Sequence, residues 1–205
     1  MKKTIICNIP MRNDVEPKKY SCDDNSLPIS DREVRYPINA MLEKTLRQDD
    51  ELVVLLLVKK DPFGNYESNI EKYISELDRA NENIGADIEY KIIDTDFVQT
   101  KAVHEELMGE IIDSIKDENN IIADITYGPK DVPIIVFYAL NFAEKFLNCE
   151  VERIVYGQAD FKDGKPINTK ICDMTPLFSL GSLTNSVQNV TADKARQMLN
   201  TLLSL

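Results

Sequence analysis

The sequence is poor in the residues on which disulfide, zinc and histidine-based sites depend. None of its four cysteines belongs to a Cys-x-x-Cys pair, and no secretory signal precedes Cys7, the first of them. We therefore expect neither a disulfide framework nor a zinc site, and we expect a reducing, cytoplasmic location. The single histidine, His104, falls in a predicted helix beside two glutamates. This placement argues against a histidine-based nuclease within the chain.

Long hydrophobic runs and an excess of positive charge are also missing. The longest apolar run, Leu52–Val58, has the length of a strand, whereas a membrane helix needs about 18 to 20 apolar residues. The 24 Lys and Arg residues stand against 35 Asp and Glu residues, which gives a formal net charge of −11. We therefore expect no membrane partner and no binding of duplex DNA through a broad basic face. Any phosphate binding must be local.

What the sequence does contain is an alternation of apolar, β-branched runs with segments of helical periodicity, which is typical of a parallel sheet covered on both faces. We predict one α/β, Rossmann-like core, with a mostly parallel six-stranded sheet flanked by helices, a C-terminal antiparallel strand pair and a short helical tail. The helix predicted over Val132–Leu147 is apolar nearly all round, so we expect it to be buried on two sides. The predicted strands are Thr4–Ile9, Leu52–Val58, Ala86–Ile93, Ile121–Ile125, Val151–Tyr156 and Ile167–Cys172.

The loop after the fourth predicted strand carries the strongest candidate site, with the sequence Asp124-Ile-Thr-Tyr-Gly-Pro-Lys130 before a helix. In sheets of this kind, ligands bind beyond the carboxyl ends of the strands where the strand order reverses, and a helix N-terminus favours an anion. Thr126 would donate to a phosphate or ribose, Gly128 would let the backbone approach, and Lys130 would supply positive charge.

This loop is neither a P-loop nor a Gly-x-Gly-x-x-Gly fingerprint, which argues against a nucleoside triphosphatase and a dinucleotide-dependent dehydrogenase. On the residues alone, an alternative is equally supported: Gly128–Pro129 forms only a tight turn, and Lys130 is a solvated surface charge. The residues therefore leave both interpretations open.

The same loop, with its DxTxGxK pattern, resembles the CARF (CRISPR-associated Rossmann fold) domains of type III CRISPR accessory proteins. In many of those domains the motif is DxTHGxR followed by a proline, so Tyr127 stands in place of the histidine and Lys130 in place of the arginine. The resemblance covers residues 3 to about 180. Three further segments agree with it: Arg35-Tyr36-Pro37, Tyr156-Gly157 and Asp173-Met174-Thr175-Pro176-Leu177.

The resemblance implies a homodimer that binds a cyclic oligoadenylate second messenger, cyclic tetra- or hexa-adenylate, in a shared pocket and thereby regulates an effector. It implies no cofactor and no metal. Residues 1–180 would form the ligand-binding domain, and residues 181–205 a linker and a C-terminal helix for dimerisation or for an effector beyond it. The ligand-binding residues it implies are Asn8, Pro10, Met11, Arg12, Asn13, Arg35, Thr126, Tyr127, Gly128, Pro129 and Lys130.

Two alternatives stay open. The first is a stand-alone ring nuclease, in which the 2′-hydroxyl of the ligand attacks the adjacent phosphate without a metal and Lys130 and Thr126 are the catalytic residues. The second is an α/β regulatory domain for another nucleotide or protein ligand. The Arg-x-x-x-x-His motif of the effector ribonucleases of this family does not occur in the sequence, so whether the chain is an enzyme stays open.

Overall fold

The computed structural model of the protein describes residues 1–12, 14–22, 27–163, 165–186 and 190–203. Within these ranges the main sheet contains six strands, a two-stranded sheet lies apart from it, and six helices connect or follow the strands. The main sheet comprises β1 Lys2–Asn8, β4 Glu51–Lys60, β5 Asp87–Asp96, β6 Asn120–Asp124, β7 Glu150–Lys162 and β8 Lys165–Asp173. The small sheet comprises β2 Lys18–Lys19 and β3 Glu33–Val34. The helices are α1 Pro37–Thr45, α2 Tyr66–Asn81, α3 Lys101–Ser114, α4 Asp131–Phe146, α5 Thr175–Ser186 and α6 Ala192–Leu203.

The main sheet has the strand order β5-β4-β1-β6-β7-β8. All neighbouring strands run parallel except β7 and β8, which form an antiparallel pair. The chain first builds outward from β1 through β4 to β5, and then crosses to the other side of β1 to place β6. The predicted fold class is therefore confirmed, and the strand order reverses between β1 and β6.

Helices cover both faces of this sheet, which explains the continuous apolar runs in the sequence. Along β1, Ile5 and Cys7 face α1 and α2, while Ile6 faces α3 and α4. Strand β4 is buried from Leu52 to Lys59, because its alternate side chains enter the two opposite cores. The sheet thus holds the ends of β1 and β6 in a rigid, fully packed frame.

Helix α4 is buried on one side only, so the expectation that it is buried on two sides was wrong. Ile134 and Tyr138 are 59 and 63% exposed on its outer side, while Val136 and Leu140 on its inner side are fully buried. No helix in the described part of the chain is long and apolar enough to cross a membrane.

The C-terminal segment differs from its predicted outline. Helix α5 runs through residue 180 to Ser186, past the start of the linker predicted from Thr184, and its Phe178 is buried against Phe137 of α4. Helix α6 follows at Ala192, and residues 187–189 lie outside the described residues. Helix α5 therefore packs with the α3–α4 core. The predicted boundary between the ligand-binding domain and the tail, at residue 180, falls inside this helix and stays a prediction.

Candidate functional site

The candidate site lies where β1 and β6 end side by side. Cys7 pairs with Asp124 in the parallel register, so Asn8 and the loop after Asp124 leave the sheet together. Gly128 in that loop has φ +90, and a Cβ added to it would lie 3.6 Å from the Cβ of Asn8. A backbone in the left-handed region favours glycine, and this conformation lets the loop lie directly against the end of β1.

Asp124 joins the loop to helix α1. Its carboxylate accepts the N–H groups of Thr126 at 2.8 Å and Ile38 at 3.2 Å. Burial raises the pKa of Asp124 to about 6, although its hydrogen bonds with Thr126 and Ile38 act in the opposite direction. The aspartate of the motif therefore fixes the position of the loop relative to α1.

Thr126 is held between the loop and strand β7. Its hydroxyl oxygen accepts the N–H of Gly157 at 2.7 Å, and the hydroxyl also hydrogen bonds the carboxylate of Asp124. A side chain at Gly157 would collide with Pro37 and crowd Thr126. The hydroxyl oxygen of Thr126 therefore already has a hydrogen-bond donor within the protein. The same contact gives Gly157 of the Tyr156-Gly157 segment a structural role, because it joins β7 to the loop.

Tyr127 turns toward the α1–α2 side of the sheet. Its hydroxyl donates to the carbonyl oxygen of Arg35 at 2.9 Å, and its ring lies edge-on to the ring of Tyr36 with a centroid distance of 5.7 Å. Burial raises the pKa of the Tyr127 hydroxyl. The residue thus anchors the loop to the segment that begins α1.

Arg35 is engaged by Glu76 of helix α2. One oxygen of that carboxylate accepts the backbone N–H of Arg35 at 2.7 Å, and the other accepts the N–H of Tyr36 at 3.1 Å. The guanidinium of Arg35 lies 3.8 Å from the same carboxylate. The side chain of Tyr36, the residue before α1, accepts no hydrogen bond from the start of that helix. Glu76 supplies acceptors there instead, and its negative charge balances the positive charge of Arg35.

The loop after β1 is fixed to the loop and helix after β4. The carbonyl oxygen of Pro10 accepts the Asn69 side chain at 2.9 Å, and that of Met11 accepts the N–H of Asn65 at 2.6 Å. Arg12 donates to the carboxylate of Asp61 and lies 5.6 Å from the ring centre of Phe97. Asn13 lies outside the described residues.

Lys130 differs from the other cations of the site. It occupies the N-cap position of α4, its side chain is exposed, and it forms no ion pair within the described ranges. The N-terminus of this 16-residue helix carries a partial positive charge. Two of the described cations of the site are exposed: Arg12, which is paired with Asp61, and Lys130, which lies at the tip of the loop without such a partner among the described residues.

The structure also brings residues to this end of the sheet that the sequence interpretation missed. Lys59 ends the apolar run of β4, and its buried ammonium lies 4.0 Å from Asp131 of α4, which is 3.1 Å from the ring of His104. The signal available in the sequence was a lysine at the end of a fully apolar strand. Across the described residues, no three His, Cys, Asp or Glu side chains are grouped so as to hold a metal ion.

Comparison of the chain with models of known protein families gave no match, and comparison with curated proteins gave none either.

Proposed function

We propose that the chain is a sensor domain for a cyclic oligoadenylate, cyclic tetra- or hexa-adenylate, which binds at the β6–α4 loop of a homodimer and regulates an effector in antiviral signalling. The observation that carries this proposal is the position of Lys130. It is an exposed cation at a helix N-terminus, without an ion pair among the described residues, at the point where the strand order of the sheet reverses. Phosphate groups bind at such positions in open α/β sheets.

The acidic character of the chain is compatible with an anionic ligand of this kind. With a net charge of −11, long-range attraction of phosphates is weak, so affinity must come from a few local contacts. A ring of adenylates presents several phosphates at short range, and a two-fold pocket repeats each contact on opposite halves of the ring. Two copies of Lys130 would then contact one ligand.

The exposed side of α4 supports the homodimer, with a second copy of this chain as its partner. Ile134 and Tyr138 are each about 60% exposed, and side chains of this size leave roughly 200–250 Å² of apolar surface on the helix. A stable interface buries about 800 Å² per partner, so these two side chains would supply about a quarter of it. Because α4 begins beside Lys130, pairing of this helix with its copy would place both ligand loops in one pocket.

The test of ligand binding is calorimetric titration with cyclic tetra-adenylate and cyclic hexa-adenylate. We expect Lys130→Ala to weaken binding by about 1.5–3 kcal/mol, or roughly 10- to 150-fold, because a charge-assisted contact with phosphate is lost. Lys91→Ala removes the same charge from an exposed position on β5 and should leave the affinity unchanged. Absence of binding to both rings would overturn the proposed function, as would an equal loss in both variants.

The ring nuclease is the alternative to sensing. It would need Thr126 or Lys130 to stabilise charge on the attacked phosphate, and the Thr126 hydroxyl oxygen already accepts the Gly157 N–H. Incubation with labelled cyclic tetra-adenylate in the presence of a chelator decides between them. We expect the ring to stay intact, and linear products that vanish in Lys130→Ala would instead establish the nuclease.

A further inference from the structure

Several buried polar atoms at the carboxyl edge of the sheet have no hydrogen-bond partner among the described residues. They belong to Asn8 on β1, Lys59 on β4 and Thr95 on β5. Lys59 and Thr95 are direct neighbours in the strand register. Buried polar groups are hydrogen-bonded in the great majority of cases. Such a concentration at one edge of the sheet therefore requires an explanation.

Lys59 is the member of this group whose burial costs the most free energy of folding. Its side chain is only 3% exposed, and the nearest carboxylate oxygen, Oδ2 of Asp131, lies 4.0 Å from Nζ, which is too far for a hydrogen bond. That same oxygen lies 3.1 Å from Nε2 of His104. Burial lowers the pKa of Lys59. A buried cation without hydrogen bonds costs several kcal/mol, and such costs concentrate at functional sites.

Lys59 and Asn8 line a crevice beneath the candidate ligand loop. They are the only polar side chains among its described lining residues, which are Asn8, Ile9, Leu57, Val58, Lys59, Leu107, Gly128, Pro129 and Val132. No part of the crevice is wide enough for a water molecule. A ligand group can therefore reach the ammonium only if the Gly128–Pro129 backbone moves outward.

We propose that this crevice, the inner anion site, binds a single phosphoryl group through the ammonium of Lys59 and the amide of Asn8. An ammonium and an amide NH₂ are donors, so they select a group rich in acceptor oxygens. A phosphoryl group has such oxygens, and the nearby N-terminus of α4 favours its charge. No carboxylate is among the described residues that line the crevice, and the Asp131 carboxylate, 4.0 Å from the ammonium, lies closer to the ring of His104, at 3.1 Å.

The inner anion site does not depend on the identity of the whole ligand. Within the proposed function it would take one phosphodiester of the ring, while Lys130 contacts the ring from the exposed tip of the loop. Binding at the inner site would require outward movement of the loop, whereas contact with Lys130 would not. The two lysines are therefore separable by experiment.

The probe for the inner anion site is inorganic phosphate, titrated into the full chain while thermal unfolding is followed. In the wild type and in Lys91→Met we expect phosphate to raise the unfolding midpoint, and in Lys59→Met we expect the apparent affinity to fall by about 10-fold or more. Asn8→Ala, as a second variant, should also weaken phosphate binding.

A phosphate effect that persists in Lys59→Met and Asn8→Ala would overturn the inner anion site, as would a wild type that does not respond to phosphate. The proposed function fails separately. If phosphate binding depends on Lys59 but neither cyclic oligoadenylate binds, the inner site stands and the sensor does not.

Discussion

Asp124 makes the stability of the protein depend on pH in an unusual direction. Its carboxylate is 1% exposed and is held by the N–H groups of Ile38 and Thr126. The substitution Asp124→Asn keeps the size of the side chain and one acceptor oxygen but cannot ionise. A comparison of this variant with the wild type at several pH values therefore isolates the titration of Asp124.

The expected magnitude follows from the raised pKa. Burial raises the pKa of Asp124 from 3.8 to about 6 in the folded protein, so folding favours its protonated form. The stability this group contributes is present below about pH 4 and is lost as pH rises through 6. A difference of about two pKa units corresponds to about 3 kcal/mol. The wild type should therefore lose about 3 kcal/mol relative to Asp124→Asn between pH 4 and pH 7.5.

The measurement is urea-induced unfolding of both proteins at half-unit intervals over that range, followed by far-UV circular dichroism. All other titrating groups are shared, so the difference between the two free energies of unfolding reports Asp124 alone. We expect that difference to change mainly between pH 4 and 6. A difference that stays constant, or that moves in favour of the wild type as pH rises, would show that the hydrogen bonds from Ile38 and Thr126 outweigh burial and would refute the reasoning.

Two further predictions concern helix α1 and the outer side of α4. Glu76→Ala should lower the free energy of unfolding by about 2–4 kcal/mol, because it leaves the N–H groups of Arg35 and Tyr36 without acceptors. Urea unfolding measures this change, and a loss below about 1 kcal/mol would contradict the capping role of Glu76. Tyr138→Glu should convert a dimer to a monomer in light scattering after gel filtration. The control Phe63→Glu, at a position 92% exposed in the turn before α2, should stay dimeric, and a monomeric wild type would refute the proposed homodimer.

The periodicity of the sequence was sufficient for the fold because its main signals are local. The run Leu52–Val58 identified β4, since a continuous apolar strand fits only a sheet with helices on both faces. The same reasoning failed for α4, because apolar composition does not say which side of a helix the rest of the chain covers. Ile134 and Val136 look equivalent in the sequence, yet one is largely exposed and the other fully buried.

The candidate site was less predictable because its interactions join residues far apart in the chain. The acidic partner of Arg35, for example, is Glu76, which lies 41 residues further along the chain. The Thr126 hydroxyl is likewise occupied by the N–H of Gly157 from the next strand. The spacing of residues within the motif identifies the loop. The spacing does not show which side chains of that loop are used for contacts within the protein.

In an acidic protein, the cations able to bind phosphate are those that the carboxylates of the protein itself leave free. Arg12 donates a hydrogen bond to Asp61, so a phosphate would have to compete with a carboxylate already in place. Lys130 has no such competitor within the described chain. The Lys59 ammonium has only the Asp131 carboxylate at 4.0 Å, without a hydrogen bond, as the Arg35 guanidinium has Glu76 at 3.8 Å. If pairing decides which cations bind, Lys130→Ala and Lys59→Met should each weaken binding of a phosphorylated ligand more than Arg12→Ala does. The reverse order would assign binding to the loop after β1.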